Sequence, residues 1–357
     1  MSYKIGSFNM HNIGASALSD KNARDLKTIA KIINKEGFDV IALQEVLGEG
    51  KAFVSPDYAK RCIIHELGGD KEWGFAWADT DNGANYNNDS GSPPRSDPRG
   101  EGYAFIWNKR KLRLCTTNVM TPYGEVERTF YPRMLNGKEV KENMFRKPYF
   151  GRFTAEGMPG GTNVEFRLIC VHTFYGKTDS PAERQIRKRE LDVLLKDIYP
   201  QINDKRYGNS LDSYTIILGD YNAEVWTKES KIWQEKLKYE RGGKKPAVMD
   251  TDEDGVVIST KYDGRRIKTV QTELTTLKSK QTETGNEEFD TEGYSFNYDH
   301  FSYEAESFRD AKVNPRRLTS AVTQHCKLDG NDEYANSFEK YYKTVSDHLP
   351  IVLEIEF

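Results

Sequence analysis

Short apolar runs recur along the whole chain and predict a series of β-strands. Each is four to eight residues long, and several are rich in valine, isoleucine, tyrosine and phenylalanine, the composition that strands favour. The runs lie at residues 3–8, 40–43, 103–107, 150–154, 165–171, 214–218, 295–302 and 351–357.

Two segments show the periodicity of amphipathic helices instead. In the first, apolar residues recur at i, i+3, i+4 and i+7, which places them on one helical face. They are Leu26, Ile29, Ala30 and Ile33. We expect Ser19 or Asp20 to cap this helix. The second begins at Ser180-Pro181-Ala182-Glu183, a capping box with proline in the first helical position. Helices set against many strands, some antiparallel, predict a two-sheet α/β sandwich.

Two stretches interrupt this pattern. Residues 79–100 are rich in Asp, Asn, Ser, Gly and Pro and predict a long loop. Residues 238–292 are polar with few apolar anchors, and they predict an insertion that carries a hairpin or a mobile flap. Candidate functional motifs nevertheless run from residue 7 to residue 350, so we expect a single domain over residues 1–357.

Composition sets only broad limits. The chain has 357 residues, 37% hydrophobic and 12% aromatic, which is enough for a large core. Its net charge of −3 gives no overall attraction to nucleic acid, so any nucleic-acid surface must be a local basic patch. No signal peptide or membrane span is visible in the sequence. Its four cysteines form no CxxC pair. We therefore expect reduced thiols and a cytoplasmic protein.

The candidate chemistry lies where apolar runs end. Five of these ends carry acid, amide or imidazole side chains, and buried strands hold such groups rigidly. The residues are Asn9, Glu45, His172, Asp220, Asn222, Asp347 and His348. This mixture suits a hard divalent cation and a phosphate better than a zinc or thiol site.

Each of these residues also has an ordinary structural interpretation. Glu45 alone would be read as a solvated strand end. Asp220 and Asn222 point to the same side if their segment is extended, but Gly-Asp-x-Asn is equally typical of a turn. A lone histidine after a strand, such as His172, is more often a structural group. The other histidines, among them His11, show no such setting and are read as surface or core residues.

Taken together, the motifs resemble the endonuclease/exonuclease/phosphatase superfamily and, within it, the deoxyribonuclease I-like branch. The motifs, in the family's order, are Gln44-Glu45-Val46, Gly219-Asp220-Tyr221-Asn222-Ala223 and Ser346-Asp347-His348-Leu349-Pro350. Shorter matches are Gly100-Glu101-Gly102-Tyr103, Phe145-Arg146-Lys147-Pro148 and Asn297-Tyr298-Asp299. The resemblance implies a four-layer α/β sandwich, with two packed mixed sheets flanked by helices.

The resemblance also implies a role for each residue. Glu45, with Asn9 and Asp347 beside it, would hold Mg²⁺, for which Mn²⁺ can substitute. Asp220 would orient or deprotonate the attacking water. His348, oriented by Asp299, and His172, oriented by Glu101, would transfer protons or stabilise charge. Asn222, Arg146 and Tyr103 would bind the substrate phosphate.

These roles favour a Mg²⁺-dependent phosphodiesterase, most simply a DNA endonuclease with nucleic acid as its partner. Local basic runs agree with this, although interleaved acids make a solvated face the plainer interpretation. They lie at residues 109–111, 187–189, 241–245, 265–268 and 316–317. The alternative is a phosphoesterase on small-molecule or lipid phosphates, of the inositol phosphatase or sphingomyelinase kind. A catalytically dead binding module is the third reading, against which the complete motif set argues. No membrane or protein partner is indicated.

Overall fold

The structure is a computed structural model. It describes residues 2–14, 17, 24–47, 50–54, 62–79, 101–115, 146, 148–155, 164–175, 181–205, 212–223, 256–258, 266–270, 275–277, 296–304, 317–322 and 338–357. The predicted loop at 79–100 lies outside these residues except for its first position. Most of the predicted insertion at 238–292 lies outside them as well.

The described strands form two mixed sheets. From edge to edge, the first contains β12 (Arg317–Val322), β13 (Ile351–Glu356), β1 (Ser2–Ile13), β2 (Val40–Leu47), β4 (Glu101–Asn108) and β3 (Trp73–Asp79). The second contains β5 (Leu112–Leu114), β6 (Tyr149–Ala155), β7 (Val164–His172), β8 (Asp212–Asp220), β11 (Asp299–Glu304), β10 (Arg266–Val270) and β9 (Val256–Ile258). The pairs β1–β2 and β7–β8 are parallel, and the other pairs are antiparallel.

The helices flank these sheets. They are α1 (Leu26–Glu36), α2 (Ile63–Glu66), α3 (Pro181–Val193), a π-helical turn (Leu194–Ile198), α4 (Tyr199–Asp204) and α5 (Phe338–Thr344). The cap of α1 differs from the prediction. The Asp25 side chain accepts the Thr28 N–H at 2.9 Å, so the helix begins later than a cap at Ser19 or Asp20 would allow. Within the described residues, no helix has the length and apolar content needed to cross a membrane.

Alternating side chains divide the core into two clusters. Along β7, Leu168 and Cys170 belong to the large cluster between the sheets, whereas Ile169 and Val171 pack on the other side with apolar residues of α3 and α4. The large cluster also extends to the outer side of the first sheet, where Phe8, which alternates with the inward-facing Ser7 and Asn9, is grouped with the buried face of α1. Helix, sheet, sheet and helix thus form four layers, and the predicted α/β sandwich is confirmed.

All eight predicted apolar runs fall on strands. The run predicted at 295–302 starts later, because β11 begins at Asp299. Just before it, the Thr275 hydroxyl accepts the N–H groups of Tyr298 and Asp299 at 3.1 and 3.2 Å. Inside the predicted insertion, β9 and β10 pair antiparallel and extend the edge of the second sheet. Of the described cysteines, Cys62 and Cys170 are buried, whereas Cys115 is only partly buried; all three are free thiols.

Candidate active site

The C-terminal ends of both parallel strand pairs meet at one end of the sandwich. In the second sheet, Asp220 lies directly beside His172 on one side and Asp299 on the other. Residues 216 and 218 of β8 face the space between the sheets, so alternation turns Asp220 the same way. In the first sheet, Ser7 and Asn9 also face inward, since Ser7 contacts Gln44, which in turn contacts Cys170 across the gap.

A bulge brings Glu45 into this space. Because Gln44 faces inward, a regular strand would turn Glu45 away. Glu45 instead has a left-handed backbone with φ of 56°, and the β2–β4 register shifts between Leu43 and Val46. Such a bulge re-aims one side chain. As a result, the Glu45 carboxylate accepts a hydrogen bond from Asn9 Nδ2 at 3.1 Å.

Asp220 is the centre of the site. One carboxylate oxygen, Oδ2, accepts a 3.0 Å hydrogen bond from Asn9 and lies 3.7 Å from His172 Nε2 and 3.6 Å from His348 Nε2. Burial raises the pKa of this carboxyl and the charge of Asp299 adds to the effect, while the two imidazoles oppose it. A buried carboxylate with a raised pKa is suited to accept a proton.

The first imidazole arm is His348 with Asp299. His348 Nδ1 lies 2.8 Å from Asp299 Oδ2, and both side chains are almost entirely buried. Burial alone would lower the pKa of His348, but Asp299 and Asp220 outweigh it and hold the pKa well above its usual value. The carboxylate fixes the ring so that Nε2 faces Asp220.

The second arm is His172 with Glu101, and it includes a guanidinium. His172 Nδ1 lies 3.0 Å from Glu101 Oε1, and Arg146 Nε lies 2.7 Å from the same oxygen. Burial would raise the pKa of Glu101, but Arg146 and His172 outweigh it and lower the pKa to about 2. For His172, burial and Arg146 lower the pKa, but Glu101 and Asp220 prevail and raise it.

Two predicted phosphate ligands are placed differently from the prediction. Tyr103 is buried, and its hydroxyl oxygen accepts the backbone N–H of His172 at 2.9 Å. It therefore supports His172 from behind instead of facing the cleft. Arg146 lies beside the site, where it is bound by Glu101 and donates to the Thr173 carbonyl at 3.1 Å.

Asn222 lies in a turn, so the extended arrangement with Asp220 is not what the structure shows. Its backbone has φ of 45°, and its N–H donates to Asp220 Oδ1 at 2.8 Å, which forms an Asx-type turn. Its side-chain amide donates to the Thr173 carbonyl at 2.9 Å. The turn still places Asn222 next to Asp220 at the end of β8.

We call Glu45, Asn9 and Asp347 the acidic corner. The Glu45 side chain is 17% exposed and that of Asp347 29%, so both carboxylates reach solvent. Oxygen donors of this kind suit Mg²⁺, which retains several waters. The side-chain amide of Asn9 donates hydrogen bonds to Glu45 and Asp220. Its side-chain oxygen, Oδ1, accepts the backbone N–H of His11 at 3.0 Å. Within the described residues, no three His, Cys, Asp or Glu side chains converge as a complete metal-binding set.

Sequence reasoning missed two residues at this corner. His11, read as a surface or core residue, lies 3.2 Å from Asp347 Oδ1 through its Nδ1. Arg24 donates to the backbone carbonyls of His11 and Val345, and the charges of Asp347 and Glu45 act on its guanidinium. The only available signal was that His11 follows Asn9 by two positions; nothing in the sequence indicated Arg24.

The basic run at 109–111 does not line the cleft. Lys109, Arg110 and Lys111 follow the far end of β4, about 25 Å from Glu101 at roughly 3.3 Å per strand residue. There Lys111 pairs with Asp39 at 2.9 Å. In the run 187–189, Arg187 is buried and donates to the Tyr175 carbonyl, whereas Lys188 and Arg189 are exposed on α3. The runs at 241–245 and 316–317 lie outside the residues whose side chains are described, as do Arg265 and Arg266 of the run 265–268, while Lys268 is exposed on β10.

Comparison with known proteins identifies related sequences and folds. The profile described as the Endonuclease/Exonuclease/phosphatase family matches residues 6–310. A search of curated proteins gives no match. Truncated TDP2 from Caenorhabditis elegans is similar in structure, with a TM-score of 0.46 and 11% identity over 100% of this chain and 98% of that chain.

Two bacterial structures are similar to the same degree. An endonuclease/exonuclease/phosphatase family protein from Bacteroides thetaiotaomicron has a TM-score of 0.44 and 12% identity, covering 99% of this chain and 97% of its own. A mannosyl-6-phosphatase from the same organism has a TM-score of 0.42 and 13% identity, covering 99% and 100%. These values are too low to transfer a substrate or a residue's role from one protein to another.

Proposed function

Because the chain belongs to the endonuclease/exonuclease/phosphatase family, whose members hydrolyse phosphoester bonds, we propose that it is a divalent-metal-dependent phosphodiesterase acting on DNA. One observation carries the proposal. Two imidazoles, each backed by its own buried carboxylate, direct their Nε2 atoms to within 3.7 Å of one Asp220 oxygen. Such an arrangement can handle both the proton of an attacking water and the charge of a phosphate.

The roles follow from the contacts. Asp220, whose pKa is raised, accepts the proton of the attacking water and orients it. His348 and His172 hold their protons because carboxylates lie behind them, so they donate to phosphate oxygens or to the leaving oxygen. Asn222 binds a phosphate oxygen through its amide. These residues therefore divide into one proton acceptor, two proton donors and one neutral phosphate ligand.

Glu45 would hold the metal, with Asp347 and Asn9 beside it, since this corner supplies solvent-reaching oxygen donors. When bound, Mg²⁺ or Mn²⁺ neutralises phosphate charge and stabilises the transition state. Asn9 joins this corner to Asp220 through hydrogen bonds of 3.1 and 3.0 Å to Glu45 and Asp220. Asn9 thus connects Glu45, which would hold the metal, to Asp220, the proposed proton acceptor.

One feature near the cleft supports a nucleotide substrate. Tyr175 follows His172 by three residues and is 53% exposed, which is unusual for a tyrosine next to a buried site. Arg187 and Glu190, both buried, fix the main chain at Tyr175 and Phe174. An exposed aromatic ring on a fixed segment is suited to stack on a base.

A second candidate is a phosphoesterase on small-molecule or lipid phosphates. The observation that favours it is the position of the basic residues. Lys109–Lys111 lie at the far end of the sandwich, and Arg187 is buried, so these four residues offer no basic surface beside the cleft that could follow a nucleic-acid backbone.

One substrate panel tests both candidates. Supercoiled plasmid, linear duplex, single strand, a bis-aryl phosphodiester and phosphate monoesters are incubated with Mg²⁺, with Mn²⁺ and with EDTA. We expect plasmid nicking that needs metal and is lost in Asp220→Asn. Hydrolysis of monoesters alone would favour the second candidate. No hydrolysis of any substrate, with DNA binding retained, would indicate a binding module.

A further inference from the structure

Arg24 connects two segments that both carry residues of the acidic corner. One guanidinium nitrogen donates to the Val345 carbonyl at 3.0 Å, and the other donates to the carbonyl of His11. His11 follows Asn9 by two residues, and Val345 precedes Asp347 by two. A single side chain on the approach to α1 therefore bonds to both segments.

The first segment would not hold its shape by itself. His11 and Asn12 both have left-handed backbones, with φ of 46° and 58°, and the register of β1 against β2 shifts between Asn9 and Ile13. Consecutive non-glycine residues in this region are strained and persist only where the surroundings fix them. The carbonyl that Arg24 binds belongs to the first of these two residues.

The second segment is a loop, and its other bonds reach the same neighbours. Thr344 accepts the Asp25 N–H through its carbonyl at 2.8 Å, and the Ser346 hydroxyl donates to the Asn9 carbonyl at 2.7 Å. Together with Arg24, these bonds join the start of α1, the bulge of β1 and the loop before β13.

We propose that Arg24 is a positioning residue that fixes the acidic corner by bonding to both of its backbone segments. The inference rests on the proposed metal-dependent function, because the corner is where the metal would be held. Arg24 also brings positive charge near Asp347 and Glu45, and this charge opposes a cation. The two effects have opposite signs: loss of positioning weakens metal binding, whereas loss of repulsion strengthens it.

A metal titration shows directly whether loss of Arg24 weakens or strengthens metal binding. Arg24→Met, Arg24→Lys and the surface control Arg110→Met are titrated with Mn²⁺ by calorimetry, without substrate. We expect Arg24→Met to weaken Mn²⁺ binding by about tenfold or more, since two charge-assisted hydrogen bonds are lost. Arg24→Lys keeps the positive charge but loses the planar guanidinium that bonds to two carbonyls at once. Its Mn²⁺ affinity should therefore lie between those of wild type and Arg24→Met. Guanidinium added to Arg24→Ala should restore part of the affinity.

A second readout does not depend on the metal. Amide hydrogen exchange at residues 9–12 and 344–348 should speed up in Arg24→Met and stay unchanged in Arg110→Met. If wild type binds no Mn²⁺, the proposed function fails, and the exchange data alone decide the role of Arg24. Equal or tighter Mn²⁺ binding in Arg24→Met, or unchanged exchange in both segments, would overturn the proposal.

Discussion

Replacing Asp299 by asparagine should separate the electrostatic role of this residue from its shape. The substitution keeps the size and one hydrogen-bond acceptor but removes the charge that lies 2.8 Å from His348 Nδ1. A hydrogen bond to a charged group contributes about 1.5–3 kcal/mol, against about 0.5–1.5 kcal/mol for a neutral one. The free energy of unfolding should therefore fall by roughly 1–2 kcal/mol in Asp299→Asn.

The loss should depend on pH in a defined direction. Since folding raises the pKa of His348 above 6.5, its contribution to stability is fully present below pH 6.5 and disappears as the pH rises through the folded-state pKa. The difference between wild type and Asp299→Asn should thus be largest below pH 6.5 and shrink at alkaline pH. Hydrolysis should fall on the order of a hundredfold or more at every pH.

Urea unfolding at one pH below 6.5 and several above it, together with initial rates, measures both effects. Asp192→Asn is the matched control, because it removes an exposed carboxylate paired with Lys196 at 2.6 Å and should leave stability and rate nearly unchanged. A stability difference that grows with pH, or near-normal turnover in Asp299→Asn, would refute this account of His348.

Three further predictions concern the corner, the second imidazole arm and the backbone. Glu45→Gln should weaken Mn²⁺ binding in calorimetry and nearly abolish hydrolysis, with partial rescue at high Mn²⁺; unaltered affinity would exclude it as a ligand. Glu101→Gln removes the charge that pairs with both Arg146 and His172, and it should cost about 1.5–3 kcal/mol in denaturant unfolding. Since the pKa of Glu101 is lowered to about 2, this cost should be complete above pH 4.5 and vanish as the pH falls through about 2. Gly219→Ala would place a Cβ 2.0 Å from a backbone oxygen and should destabilise by about 3 kcal/mol or more, against roughly 1 kcal/mol for the control Gly37→Ala, where nothing lies within 4 Å; equal thermal melting of the two variants would contradict this.

The sequence was most informative where burial imposes a regular period. Apolar runs such as 165–171 and 214–218 predicted central strands, because both faces of β7 and β8 are covered and most residues of these runs are apolar. The short edge element β5 was missed, and β9 was predicted only as part of a hairpin in the insertion at 238–292. Their few residues depend on the neighbouring strand for pairing, and their own pattern is too short to show it.

At the site, residue identity was easier to predict than geometry. Acids and imidazoles at strand ends led to Asp220 and His172, but no pattern showed that Glu45 lies on a bulge with positive φ. A bulge is set by tertiary contacts and not by local composition. Arg24 could not be found for a related reason, since its partners at residues 11 and 345 are distant in sequence.

The basic run at 109–111 was misleading, because the density of charge along a sequence does not show where those charges lie in the fold. Lys109–Lys111 form a dense cationic run, yet a β-strand of eight residues separates them from the cleft. Arg187 is buried and holds a backbone carbonyl, a role that a surface reading of its neighbours could not anticipate.

The proposed catalytic groups are divided between the two sheets, and this has a consequence for how the proposed activity would be lost on heating. Asn9 and Glu45 are carried by the first sheet, whereas His172, Asp220 and Asp299 are carried by the second. The rate of hydrolysis should therefore depend on the spacing between the two sheets, because a misplacement of about 1 Å can cost on the order of a hundredfold in rate. On gradual warming, slight loosening of the interlayer packing should inactivate the protein while both sheets are still intact. Inactivation should consequently precede the melting seen by far-ultraviolet circular dichroism, and residual activity would be the more sensitive gauge of core packing.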